Sequence, residues 1–188
     1  PPELIIASQQ ASLDEIHHAR GCFAIAALYT DEPAEPGPLP APAPRDGGLV
    51  ALACNTFLEG CLGETVAALA ALRAGRHCQL APVRELLTTI ADDESRHAEL
   101  AWATLAFAVH HGGPAVAEAL RALAADVAAR LAEPGRPDTS LPIPAALLAA
   151  HGRLDPAALA AARSDAWYDI VVPTLELVLA AGDPRRLT

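Results

Sequence analysis

Residues 33–48, PAEPGPLPAPAPRDGG, carry so many prolines that neither a helix nor a central strand can pass through them. Proline lacks the amide donor, and its ring obstructs the preceding helical turn. An extended, polyproline-like connector is expected there. At ~3.1 Å per residue it reaches ~50 Å, whereas a helix of ~25 residues is only ~38 Å long. Such a connector can return along a whole helix, so that the helices on its two sides run parallel. That is the long crossover of one class of four-helix bundle.

The segments around the connector are built for helices. Apolar residues make up 52% of the chain and are mainly Ala and Leu, while aromatics are 4%, which leaves little for strands to be made from. A first helix is predicted over residues 3–29, with Ile6, Leu13, Ile16 and Phe23 among its apolar positions. A second is predicted over 49–74 and a third over 82–110, with Pro82 near its start and Gly112-Gly113 after its end. The short link at 75–81 makes these two antiparallel neighbours. Beyond them come an amphipathic helix over 114–131, the breaker-rich EPGRPDTSLPIP, a short helix over 145–151, and a last one over 156–181, kinked at Pro173. The expected organisation is an all-α chain: bundle helices with their crossover in 1–111, and a C-terminal helical extension in 112–188.

The formal net charge is −10 and no basic cluster is visible, which argues against a nucleic-acid partner. No apolar stretch is read as reaching the roughly 18–20 residues that cross a bilayer, and no secretory signal opens the chain. A soluble protein without a membrane partner is expected. Cys22, Cys54, Cys61 and Cys78 form no C-x-x-C pair, so they are read as free thiols packed in helices. That suits a cytoplasmic protein. The chain has no Met and begins Pro-Pro, so a further segment is expected before residue 1.

Two stretches carry the chemistry. SLDEIHHARG and ADDESRHAEL each contain Asp-Glu-x-x-His-Ala. Residues i and i+3 share a helix face, so Glu15 with His18, and Glu94 with His97, can each present an oxygen and a nitrogen to one point. One such pair is most simply an exposed ion pair. Two copies with matching flanks, on two Ala/Leu-rich helices, point instead to metal half-sites. The second helix adds EGCLGET, in which Glu64 shares a stripe with Phe57, Gly60, Cys61, Ala68 and Ala71 and so turns toward the core, where an uncompensated carboxylate is costly. Gly60, one turn earlier, would leave room for a metal or ligand beside the backbone. Glu59 lies elsewhere on the helix and is the weaker ligand candidate. His17 points about 100° away from His18 and is read as a surface residue. Arg20 and Arg96 stand beside the motifs as candidate ion-pair partners of the ligands. Trp102, Trp167 and Tyr168 are read as core or interface residues.

With DEIHHA and DDESRHAELAW as the Glu-x-x-His helices and EGCLGET as the intervening single-Glu helix, residues 1–111 resemble a ferritin-like, rubrerythrin-type di-iron carboxylate protein. The resemblance implies a bundle with three of its core helices in this chain, and two iron ions, with manganese admissible. It makes Glu15 and Glu94 bridging carboxylates, His18 and His97 terminal imidazole ligands, and Glu64, or else Glu59, a terminal carboxylate. The family's first helix, with its own Glu, has no counterpart here and is expected before residue 1. Four carboxylates would neutralise two divalent ions in a low-dielectric core, and three are assigned.

The function so implied is a non-haem di-iron oxidoreductase that activates O₂ and acts on a small organic substrate. Two alternatives are open. One is a ferroxidase or iron-storage protein handling Fe²⁺, for which a homo-oligomer is expected. The other is a metal-free helical interaction module in which the motifs are ion pairs.

Overall fold

The computed structural model describes residues 1–31, 36–38, 47–132 and 143–182. Among these every regular element is helical. The chain divides into two compact units, Pro1–Asp46 and Gly47–Thr188.

The first unit is one long helix, α1 (Pro2–Ala26), closed by a 3₁₀ turn at Ala27–Tyr29. Pro2 sits in its first turn, where a missing amide donor costs nothing. Its buried residues are Asp14 and His18, whereas Ile5, Ile6, Leu13 and Ile16 are exposed. The connector expected over 33–48 falls mostly on residues 32–35 and 39–46, outside the described residues.

The second unit starts with a continuous helical run, Leu49–His77. It comprises α2 (Leu49–Asn55), a π-helical segment π1 (Thr56–Glu64) and α3 (Thr65–His77). Next comes α4 (Ala81–Ala132), which breaks at Gly113, where φ is 56° and ψ −141°. Only glycine adopts that conformation without strain, and Pro114 follows it. The expected boundary between the third and fourth helices therefore falls where Gly112-Gly113 puts it, between two arms of α4. A short α5 (Ala145–Ala150) leads to α6 (Pro156–Asp165), a second π segment π2 (Ala166–Val171) and α7 (Val172–Ala181). The Asp155 carboxylate caps α6 by accepting from the Ala158 amide at 2.7 Å. The π turns of π2 end just before Pro173, whose ring and missing N–H forbid a regular bond to the carbonyl four residues back.

Glycines report how the helices pass one another. A Cβ built on Gly60 would overlap Ala101, one on Gly75 would lie 3.7 Å from Leu87, and one on Gly112 would lie 3.5 Å from Leu49. Each pair sums to 161 or 162, so the Leu49–His77 run and the first arm of α4 are antiparallel in constant register. A Cβ on Gly182 would meet Val109, and Arg73 pairs with Asp165. Hence α6, π2 and α7 run in the same sense as that arm. The core between them holds Phe57, Leu105, Val116, Leu120, Trp167 and Val171, and Phe57 meets Trp167 edge to face at 6.3 Å. Each such side chain contributes roughly 1.5–3 kcal/mol by leaving water.

Two sequence readings need correction. The run Leu49–His77 is long and apolar enough to cross a membrane by length and composition. Its few charges are spread out, and a demand for an uninterrupted apolar stretch overlooks it. Here one side of it packs on α4, burying Ala53, Phe57, Cys61, Ala71 and Ala74. The four cysteines are free, but Cys22 is exposed and Cys54 only partly buried; Cys61 and Cys78 alone lie in the core. Burial pushes the Cys61 thiol up to about 12, so it stays protonated and is a poor ligand at neutral pH.

Candidate metal centre

The second half-site is assembled by two elements of the second unit. Glu94 and His97 lie three residues apart on α4, and both are buried. Their spacing sets Glu94 Oε2 3.4 Å from His97 Nδ1. Adjacent ligands on an ion with bonds of ~2.1 Å are ~3.0 Å apart, so this pair stands within a few tenths of an ångström of a shared coordination sphere. Glu64 enters from the opposing helix, as the last residue of π1. The antiparallel register sets residue 64 across from residue 97 or 98. One carboxylate oxygen from each of Glu64 and Glu94 and one ring nitrogen of His97 lie within 4.8 Å of one another.

The π segment accounts for part of this arrangement. Ala53, Phe57, Cys61 and Thr65 are all buried, four residues apart. At 100° per residue a regular α-helix would turn the last of them 120° away from the first. Winding with i→i+5 bonds takes more residues per turn, cancels the drift and holds the stripe on one side. The Thr65 hydroxyl donates to the Cys61 carbonyl at 2.7 Å. Gly60 plays a different part from the expected one: its missing Cβ makes room for Ala101, not for a ligand. The close approach of helices there draws Glu64 toward α4.

The donor set is two carboxylates and an imidazole, which suits iron, manganese or zinc. Two ionised carboxylates no more than 4.8 Å apart would repel by about 3.5 kcal/mol or more at an effective dielectric of about 20, and a cation between them turns that repulsion into attraction. The residues present therefore fit a divalent metal. Asp93, beside Glu94, is buried and accepts from Arg96 Nη2 at 2.6 Å. Sequence reasoning named Arg96 and missed Asp93. The signal was there: Asp precedes Glu in both motif copies, and Asp14 is buried too.

In the first unit, Glu15 Oε1 lies 3.7 Å from His18 Nδ1; Glu15 is 55% exposed and His18 is buried. The copy thus has the local geometry of a Glu-x-x-His pair. Glu59 is exposed and outside the three-residue cluster, while His17, His77, His110 and His111 are exposed. Trp167 is in the core, Tyr168 is exposed, and Trp102 is half-buried beside a cavity. No family model, curated protein or solved structure matches the chain.

Proposed function

We propose that this protein is a metal-dependent oxidoreductase of the ferritin-like, di-iron carboxylate kind, built on a four-helix bundle and using O₂ with a small organic substrate. The observation that carries the reading is the convergence of Glu64, Glu94 and His97 from two helices. The repeated motif assigns the other half-site to Glu15 and His18, and the resemblance supplies the metal pair. When bound, the metals would supply the redox chemistry. The chain's residues have simpler duties: Glu64 and Glu94 would balance cationic charge and His97 would offer a ring nitrogen, while Phe57, Cys61 and Leu105 belong to the buried apolar core.

Elemental analysis of the folded chain supplied with Fe²⁺ tests this. About two iron ions per chain are expected, with loss of metal in both Glu94→Ala/His97→Ala and Glu15→Ala/His18→Ala, since each removes one bridging carboxylate and one imidazole of the proposed pair. Retention of no metal by the folded wild-type chain, or equal retention by all three proteins, would sink the proposal. An unchanged circular dichroism spectrum must accompany each variant.

A further inference from the structure

Beside the metal ligands, one step round α4, lies an open cavity of about 410 Å³ bordered by α3, α4 and the π2–α7 run. That is within the usual size of small-molecule sites, roughly 300–1,000 Å³. Its α4 wall is the row Asp92, Ser95, Glu99 and Trp102, spaced to share one helix face. Ala68, Leu69 and Leu72 on α3 and Ile170 on π2 supply an apolar wall opposite.

The polar lining is one-sided. Asp92 and Glu99 can only accept hydrogen bonds when ionised. The three hydroxyls have already spent their protons: Ser95 donates to the Ala91 carbonyl, Thr65 to Cys61 and Thr174 to Ile170, each at 2.7 Å. Only lone pairs remain to face the space. Among the described residues no Lys, Arg or His lines it, and the one lining side chain with a donor left over is Trp102, through its indole N–H. A ligand here must bring its own protons and a positive charge, together with an apolar body.

Asp92 also borders a smaller cavity whose lining includes Arg76 and Arg84, so it has cationic side chains in its neighbourhood. Glu99 faces the larger cavity alone of the two. One turn on, Trp102 adds an indole to the lining, and aromatic rings also attract cations. A metal is the poorer occupant, because two carboxylates seven residues apart are separated by ~10 Å along the helix. From this lining we infer that the cavity is a binding site for an organic ammonium ion, its head at Glu99 and Trp102 and its apolar body along Leu72 and Ile170. The inference uses none of the metal ligands.

The test compares three six-carbon probes of one shape, hexylammonium, 1-hexanol and hexanoate, by titration calorimetry on the chelator-treated full chain. Hexylammonium is expected to bind about tenfold tighter than hexanol, and hexanoate not to saturate. Glu99→Gln should bring hexylammonium down to the level of hexanol without weakening hexanol. Glu118→Gln, which removes an exposed charge outside the cavity, should leave all three as they were. Equal binding of amine and alcohol, saturable binding of hexanoate, an effect of Glu118→Gln equal to that of Glu99→Gln, or no saturable binding at all would each overturn the assignment. Repeating the titration on Glu94→Ala/His97→Ala, with unchanged affinity expected, keeps this outcome apart from that of the metal proposal.

Discussion

Replacing Gly60 with alanine sets two physical rules against each other. By helix propensity alone the change stabilises, since Gly costs about 1 kcal/mol relative to Ala in a helix interior. By packing it destabilises, because the new Cβ would overlap that of Ala101. Ala101 has no rotamer to give, so the two helix backbones must part, at a typical cost of about 1–3 kcal/mol. Taking the upper end for backbone movement, the net expectation is a loss of about 2 kcal/mol. For a chain of this size that lowers the melting temperature by roughly 4–8 °C. Thermal unfolding followed by far-ultraviolet circular dichroism measures it. Gly75→Ala is the control on the same interface: its Cβ would sit 3.7 Å from Leu87, an ordinary contact, so it should raise the melting temperature slightly. Adding Ala101→Gly to Gly60→Ala removes the overlap and should recover part of the loss. A Gly60→Ala protein at least as stable as wild type would refute the claim that this glycine fixes the helix spacing.

Two further outcomes follow from backbone and burial. Gly113→Ala meets no atom within 4 Å but must hold a φ of 56°, so denaturant titration should show a loss of about 1–3 kcal/mol from backbone strain alone. Cys61, raised from 9.0 to about 12 by burial, stays neutral in the fold while the unfolded thiol ionises. Its contribution is therefore complete below pH 9 and fades from there toward 12, by roughly 1.4 kcal/mol per pH unit. Denaturant melts at about pH 8 and pH 10 should show the decline, and Cys61→Ala should flatten it.

The all-helical fold is legible because long Ala/Leu-rich runs are punctuated by Gly and Pro. Gly112-Gly113 places the break in α4, and Pro173 warns of the disturbance that the structure resolves as π2. By contrast, Gly60 and Gly63 lie inside π1 without ending the helix. Thr56–Glu64 reads as ordinary helix, and its wider winding comes from packing on α4 that local propensity does not encode. The first helix shows the limit of apolar periodicity: Ile6, Leu13 and Ile16 are exposed, while Asp14 and His18 are buried. The proximity of Glu94 and His97 on α4 was readable, since i, i+3 spacing alone aligns them. The role of Gly60 was not, because sequence shows that space is left but not what fills it.

Glu94 and His97 share one row of α4 with Ala101, and Ser95, Glu99 and Trp102 form the next row, about 100° round the helix. One rigid element therefore presents Glu94 and His97 to π1 and the cavity wall to α3 and π2. Contact between Gly60 and Ala101 lies on the first row, one turn beyond His97, and sets the distance from which Glu64 reaches Glu94. Moving α4 outward there separates Glu64 directly from Glu94 and His97, which ride on α4 together. It shifts the cavity only by tilting its wall, because Asp92 and Glu99 ride on the same helix as their neighbours. Gly60→Ala should thus weaken metal retention more than ammonium binding, whereas Glu99→Gln acts on the cavity alone. A common response of both sites to both substitutions would mean that the two rows form a single site.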